Sequence, residues 1–239
     1  MYKKQSVFKN RKIGEMFIEG LRGHKVIFKK WDDSKGIRDV LNKRIDGKQS
    51  KQPKRIDGII ISGSDYFVDG KEHSIIDESI LNSNLPILGI CYGFQSLIHT
   101  LGKPSYIKRN KSGYMSYTRS FSITKPFTVP KRKFLFYHTN YIVKVPKGFK
   151  IYKKIGEKII IAYNSKRNIL GVQFYLYKYK KTVRMFLDAW IARCVALPKV
   201  RSTNTEGNEA IPKATKQYRR QRSNTEGNVV LPKVRNSEP

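Results

Sequence analysis

Cys91 is the residue of this sequence whose setting most favours nucleophilic chemistry. It lies in the run Gly89-Ile90-Cys91-Tyr92-Gly93, between an apolar segment and a segment with helical spacing. A thiol at a sharp strand-to-helix turn points out of a sheet, and the free N–H groups of the helix stabilise its thiolate and can hold an oxyanion. The spacing predicts a nucleophile for acyl transfer; a small buried apolar cysteine is the structural alternative.

The segments on either side predict the elements that such a turn needs. Leu85–Ile90 is almost wholly apolar, which favours a strand buried on both faces. Phe94, Leu97 and Leu101 follow at helical spacing. The two glycines at positions 89 and 93 have a steric reason, because the neighbouring chain must pass close to a strained nucleophile without meeting a Cβ atom.

The run Gly89–Gln95 resembles the G-I-C-Y-G-x-Q nucleophile motif of class I glutamine amidotransferases, in particular the glutaminase domains of GMP synthases. The resemblance implies a three-layer, flavodoxin-like α/β fold with a mostly parallel central sheet. It also implies glutamine hydrolysis by a Cys-His-Glu triad, with glutamine as the ligand and no cofactor or metal.

An oxyanion hole is implied by a second match. Ile56–Asp65 is similar to the family's D-G-I-I-x-S-G-G-P strand and turn, so the backbone N–H groups of Gly63 and Tyr92 are the implied donors. Ser64 and Asp65 replace a glycine and a proline of that motif. We expect a backbone penalty at Ser64 if the position requires a positive φ.

The implied contacts to glutamine come from two places. Gln95 matches a residue that contacts the substrate, although its amide could also cap or hydrate the helix. Phe134–Phe149 resembles a loop that frames the bound glutamine, and His138, Thr139 and Asn140 are its implied binding residues.

The catalytic pair of the family is replaced in this chain. Gly171–Phe174 keeps the G-V-Q-F run that precedes the His and Glu of the triad, but Tyr175 stands in the His position and Tyr177 in the Glu position. A phenol with an ordinary pKa of about 10 is a poor base toward a thiol near pH 7. We therefore expect an impaired or inactive amidotransferase. An active glutaminase with His138 as its base is the first alternative.

A second alternative, polyanion binding, comes from the charge. The chain carries 49 Lys and Arg against 18 Asp and Glu, a net charge of +31. Such an excess predicts non-specific affinity for nucleic acid without reading of its sequence. The lysines are scattered among many Ile, Asn and Tyr residues, and all four types have A/T-rich codons, so genome composition is an equally good explanation.

Further elements are predicted from periodicity and turn residues. A doubly wound domain needs a first strand, for which only Ser6–Phe8 is available. The other predicted elements are helices at Asn10–Leu21, Ile37–Leu41, His73–Leu81 and Thr182–Cys194, a strand at His24–Lys30, strands within Tyr106–Thr124, and a β-hairpin at Ile159–Tyr177.

The predicted organisation is one domain over residues 1–195 and a disordered basic tail over 196–239. In the tail, Thr203–Asn208 recurs as Ser223–Asn228, and so short a duplication cannot bury a core. Two cysteines, and no signal-peptide or membrane-length apolar run, predict a soluble cytoplasmic protein. Any synthetase partner is expected on another chain.

Overall fold

The computed structural model of the chain describes residues 17, 19–30, 33–42, 56–64, 67–68, 75–176 and 178–196, and every structural statement concerns these ranges. Six sequence predictions fall wholly or mostly outside them. They concern the short strand at Ser6–Phe8, the helix at Asn10–Leu21, the residues Asp65, His73 and Tyr177, and the tail from residue 197.

The elements with bounds in these ranges alternate between helix and strand up to Leu101 and are mainly strands after it. In chain order they are α1 (Ser34–Asn42), β1 (Ile59–Ile61), α2 (Glu78–Leu81), β2 (Ile87–Ile90), α3 (Tyr92–Leu101), β3 (Ile107–Arg109), β4 (Met115–Ile123), β5 (Val129–His138), β6 (Asn140–Ile142), β7 (Phe149–Ile155), β8 (Lys158–Asn164), β9 (Ile169–Val172) and α4 (Lys180–Ala196). None of the helices in the described part of the chain has the length and apolar character needed to cross a membrane.

The central sheet has the order β1-β2-β9-β8-β7. Its β1–β2 and β2–β9 pairs are parallel, whereas β9–β8 and β8–β7 are antiparallel. The α/β class is confirmed, but the sheet is mixed rather than mostly parallel. The reason is local, because β7, β8 and β9 follow one another through short turns, and only antiparallel strands can be joined so tightly.

The sheet is covered on both faces, as expected for three layers. All four residues of β2 are buried. Ile87 packs in a cluster with Leu97 of α3, while Leu88 and Ile90 pack in a second cluster with Phe186 of α4. Because side chains alternate along a strand, one apolar run supplies both faces of the core.

A separate hairpin of β4 and β5 lies against the α4 face of the core. The ring centroids of Phe121 and Phe134 are 4.5 Å apart, and those of Phe134 and Phe174 are 4.3 Å apart. The N–H of Tyr175 donates to the carbonyl oxygen of Leu135 at 2.8 Å, in an isolated antiparallel bridge. These contacts fix the hairpin beside the residues that follow β9.

Two predicted elements differ from the structure. His24–Lys30 forms no strand, and Ile27 and Phe28 are 47% and 38% exposed. A strand needs a hydrogen-bonded neighbour, and β1 pairs only with β2 among the described strands. The helix predicted at His73–Leu81 is described only as α2, which begins after Asp77, whose carboxylate accepts a hydrogen bond from the Ser79 N–H at 2.9 Å.

Candidate active site

Cys91 occupies a strained turn between β2 and α3, as the sequence predicts. Its φ is 51° and its ψ is −106°, a conformation that L-residues other than glycine rarely adopt. The Cys91 N–H donates to the carbonyl oxygen of Val172 at 2.7 Å, and the Cys91 carbonyl accepts from the N–H of Gln95 at 3.0 Å. We call this turn at Cys91 the elbow. Strand β9 and helix α3 hold it in place.

Both flanking glycines are required by close approach of the chain. A Cβ atom on Gly93 would overlap the carbonyl oxygen of Ile61 in β1, and one on Gly89 would lie 2.9 Å from the backbone nitrogen of Phe94. Neither neighbour is a flexible side chain end that could move aside. The predicted steric reason for these glycines is therefore confirmed.

The thiol of Cys91 is buried and contacts a backbone carbonyl group and a side-chain amide. The residue is 2% exposed. Its Sγ donates to the carbonyl oxygen of Tyr137 at 3.8 Å and accepts from the Nε2 of Gln173 at 3.5 Å. Gln173 is fully buried. Gln173 was not predicted as a site residue, although a glutamine directly after a buried apolar run is a usable signal, since such an amide must find a partner.

The structure brings most of the predicted site residues to one pocket. Its lining includes Cys91, Tyr92, Gln95, His138, Thr139, Asn140 and Tyr175, together with Ser64, Phe67, Tyr114 and Tyr137. The cavity measures about 10 Å³, which is close to the room that one water molecule needs. The catalytic and binding roles of these residues stay predictions.

The ring of Tyr175 covers the turn predicted to supply the oxyanion hole. A Cβ atom on Gly63 would lie 2.6 Å from the Cε1 of Tyr175, and Tyr175 is only 7% exposed. Ser64, next in the chain, is buried and does not have a positive φ. Ser64 therefore lacks the backbone strain that we expected for a positive φ at this position.

Gln95 uses its amide group within the protein. Its Nε2 donates to the carbonyl oxygen of Asn140 at 2.6 Å and to the Oε1 of Gln173 at 3.3 Å. Asn140 in turn donates from Nδ2 to the carbonyl oxygen of Val68 at 3.1 Å. These bonds join α3, β6 and the segment after β9 around the thiol.

His138 is a buried, weakly basic imidazole. It is 4% exposed, and neither ring nitrogen has a hydrogen-bond partner of good geometry. Burial lowers the pKa of His138 from 6.5 to about 4; a hydrogen bond with the backbone of Asn140 opposes this shift, and the charge of Lys158 makes a smaller contribution in the same direction as burial. The Oγ1 of Thr139 and the Oδ1 of Asn140 also lack partners. Several buried polar atoms of the residues that line the cavity therefore lack a hydrogen-bond partner within the described part of the chain.

A buried strand that ends in a cysteine at a strained strand-to-helix turn, within a sheet packed against helices on both faces, defines the class of α/β protein to which this fold belongs. The family model described as glutamine amidotransferase class-I matches residues 21–176. The chain belongs to this family.

Two curated relatives share its sequence. The glutamine-hydrolyzing GMP synthase of Wigglesworthia glossinidia brevipalpis is 31% identical over 134 residues, which are 51% of this chain and 26% of that protein. The enzyme of the same name from Clostridium perfringens is 35% identical over 131 residues, which are 53% of this chain and 25% of that protein. The matched part spans about a quarter of each relative.

A solved structure supports the fold. The glutaminase domain of Trypanosoma brucei CTPS, with bound acivicin, superposes with a TM-score of 0.52 at 11% identity and covers 82% of this chain and 90% of that one. At this identity the match shows the fold alone.

Proposed function

We propose that this chain is a glutaminase domain of the GMP synthase kind whose hydrolytic activity is strongly impaired. The observation that carries the proposal is the position of Tyr175. Its ring lines the Cys91 pocket and packs on Gly63, where the family resemblance places the catalytic histidine and the oxyanion hole.

The chemistry requires a base that the pocket supplies poorly. Attack of a thiol on the glutamine amide needs the thiol proton to leave and a proton to reach the departing ammonia. The phenol of Tyr175 accepts a proton poorly at neutral pH. Loss of general acid–base catalysis typically lowers the rate by about 10²–10⁴-fold.

The size of the cavity supports the same proposal. A space of about 10 Å³ holds one water molecule, whereas a glutamine side chain carries five heavy atoms beyond its Cα. The Tyr175 ring lines this cavity and packs on Gly63, so we expect its position to limit the approach of the amide carbon to Cys91. Substrate access and proton transfer are thus both hindered by one residue.

An active glutaminase with His138 as its base is the weaker alternative. His138 lines the same pocket, but burial lowers its pKa to about 4, and it has no carboxylate partner among the described residues. A base with so low a pKa accepts the thiol proton in only a small fraction of molecules at pH 7.

A synthetase partner is also proposed. The relatives are named GMP synthases. We infer that ammonia formed at Cys91 serves a synthetase.

Ammonia release from glutamine tests the proposal. We expect wild-type protein to match Cys91→Ala, and the double variant Tyr175→His/Tyr177→Glu to gain activity, because the imidazole reaches the thiol and the carboxylate fixes its tautomer. Each single variant should gain little. Circular dichroism checks that every variant is folded.

Two results would contradict parts of the proposal, the first the impairment itself and the second the replaced catalytic pair as its cause. One is a wild-type rate equal to that of the matched segment of the Clostridium perfringens enzyme and abolished by Cys91→Ala. The other is a folded double variant that neither hydrolyses nor binds glutamine, which would mean that the glutamine pocket itself is lost. Loss of a normal wild-type rate in His138→Gln would assign the base to His138.

A further inference from the structure

Two tyrosines form an exposed stacked pair beside the pocket. Tyr114 is 48% exposed and Tyr137 is 36% exposed. Their ring centroids are 5.0 Å apart and their planes differ by 11°. We call this pair the tyrosine platform. Phe67 adjoins it, with its centroid 6.0 Å from that of Tyr114, and the guanidinium of Arg109 lies 4.6 Å from the Phe67 centroid.

The hairpin register places the platform on an outer face. Tyr137 is paired with Ser116, and Lys133 with Ser120, along the same face of β4 and β5. The alternate residues Phe134 and Phe136 are fully buried. Since neighbouring residues of a strand point to opposite faces, the platform and Lys133 share the side that faces away from the core.

The strands that carry the platform are almost free of negative charge. Between Lys103 and Arg167 the chain has 17 Lys and Arg and one carboxylate, Glu157. Glu157 is paired with Lys108 at 2.8 Å and accepts from the Tyr141 hydroxyl at 2.9 Å. Residues 1–102 contain 12 Asp and Glu beside 18 Lys and Arg. A uniform codon bias gives no reason for this contrast.

We propose that the tyrosine platform binds single-stranded nucleic acid, with bases stacked on Tyr114 and Tyr137 and phosphates neutralised by Arg109, Lys111 and Lys133. Exposed aromatic rings within a cationic surface are the combination that single-stranded nucleic acids require. A duplex offers no free base faces, so the platform favours single strands. Stacking tolerates every base, so binding is indifferent to sequence.

The same surface is a poor match for a protein partner. Protein interfaces place aromatic residues in a core that is depleted of charge, whereas Arg109 and Lys111 flank this platform and are both exposed. Tyr114 and Tyr137 also line the pocket that contains Cys91. A bound oligonucleotide therefore lies over the mouth of that pocket.

Fluorescence anisotropy of a short labelled oligothymidylate, with full-length protein, tests the proposal. The variant Tyr114→Ala/Tyr137→Ala should bind roughly tenfold or more weakly, whereas Tyr114→Phe/Tyr137→Phe should keep wild-type affinity because the ring faces remain. Phe28→Ala is the matched control, since it removes an exposed ring elsewhere and should change nothing. Thermal unfolding checks each variant.

The salt dependence of oligonucleotide affinity distinguishes the contribution of the charged residues from that of the tyrosine platform. Arg109→Ala/Lys111→Ala should reduce the magnitude of the slope of log affinity against log salt by about 1.4, while the tyrosine variants keep the wild-type slope. Equal affinity of wild type and the double alanine variant, or equal affinity for the oligothymidylate and a duplex of the same length, overturns the proposal. Either result would assign nucleic-acid binding to scattered lysines.

Discussion

His138 links the buried pocket to the pH dependence of stability. It is neutral in the folded protein because burial lowers its pKa to about 4, whereas the unfolded chain binds the proton with an ordinary pKa of 6.5. Between these values the unfolded state holds more protons, so the free energy of unfolding decreases as the pH falls.

We therefore expect His138 to contribute up to about 3 kcal/mol to the free energy of unfolding. This contribution is present above pH 6.5 and is lost by about pH 4. Urea unfolding of wild type and His138→Gln across this range measures the difference. The variant lacks the titrating group, so its curve should be flatter. Parallel curves for the two proteins would show that His138 is solvated in the folded state.

The elbow is the element whose local geometry determines the effect of substitution. A φ of 51° at Cys91 favours glycine over any residue with a Cβ. We expect Cys91→Gly to be more stable than Cys91→Ala by about 1 kcal/mol, measured by urea unfolding. At Ser96, inside α3, the order should reverse, because glycine weakens a helix by about 1 kcal/mol relative to alanine. Greater stability of Cys91→Ala than of Cys91→Gly would contradict a strained elbow.

Short-range patterns predicted the elements nearest the site. The apolar run before Cys91, the helical spacing after it and the hairpin of β8 and β9 were visible because each is set by neighbours in sequence. The helix at Ile37–Leu41 and the C-terminal helix were also confirmed, as α1 and α4. The prediction of a strand at His24–Lys30 was wrong because a strand forms only beside a distant partner, which periodicity does not reveal.

Long-range contacts were the part of the site that the sequence did not predict. Gln173 reaches Cys91, and Gln95 is bonded to Asn140, only because β2, β9 and β6 converge. The tyrosine platform was also missed. Tyr114 and Tyr137 meet through the register of β4 and β5, which no local pattern specifies.

At the scale of the whole molecule, we propose that the folded domain ends with α4. Trp190 is 5% exposed, and its ring lies 2.8 Å from the position of a Cβ on Gly58. A chain that ends at residue 196 should keep the wild-type melting temperature. A chain that ends at residue 189 should lose roughly 3–5 kcal/mol, because a large buried side chain is removed. Thermal unfolding of the two proteins is the measurement, and a lower melting temperature for the longer one would place the boundary farther on.

The unpaired segment from Lys25 to Lys30 has a consequence for the protein in solution. It exposes Ile27 and Phe28, an apolar pair through which two molecules can associate, and the flanking lysines oppose that association by mutual repulsion. Added salt screens this repulsion beyond about 10 Å at 0.1 M. The same salt also weakens contacts to phosphate groups. We therefore expect the protein to remain dispersed at low ionic strength but to retain bound nucleic acid, and to release that nucleic acid at high ionic strength while becoming more prone to precipitation.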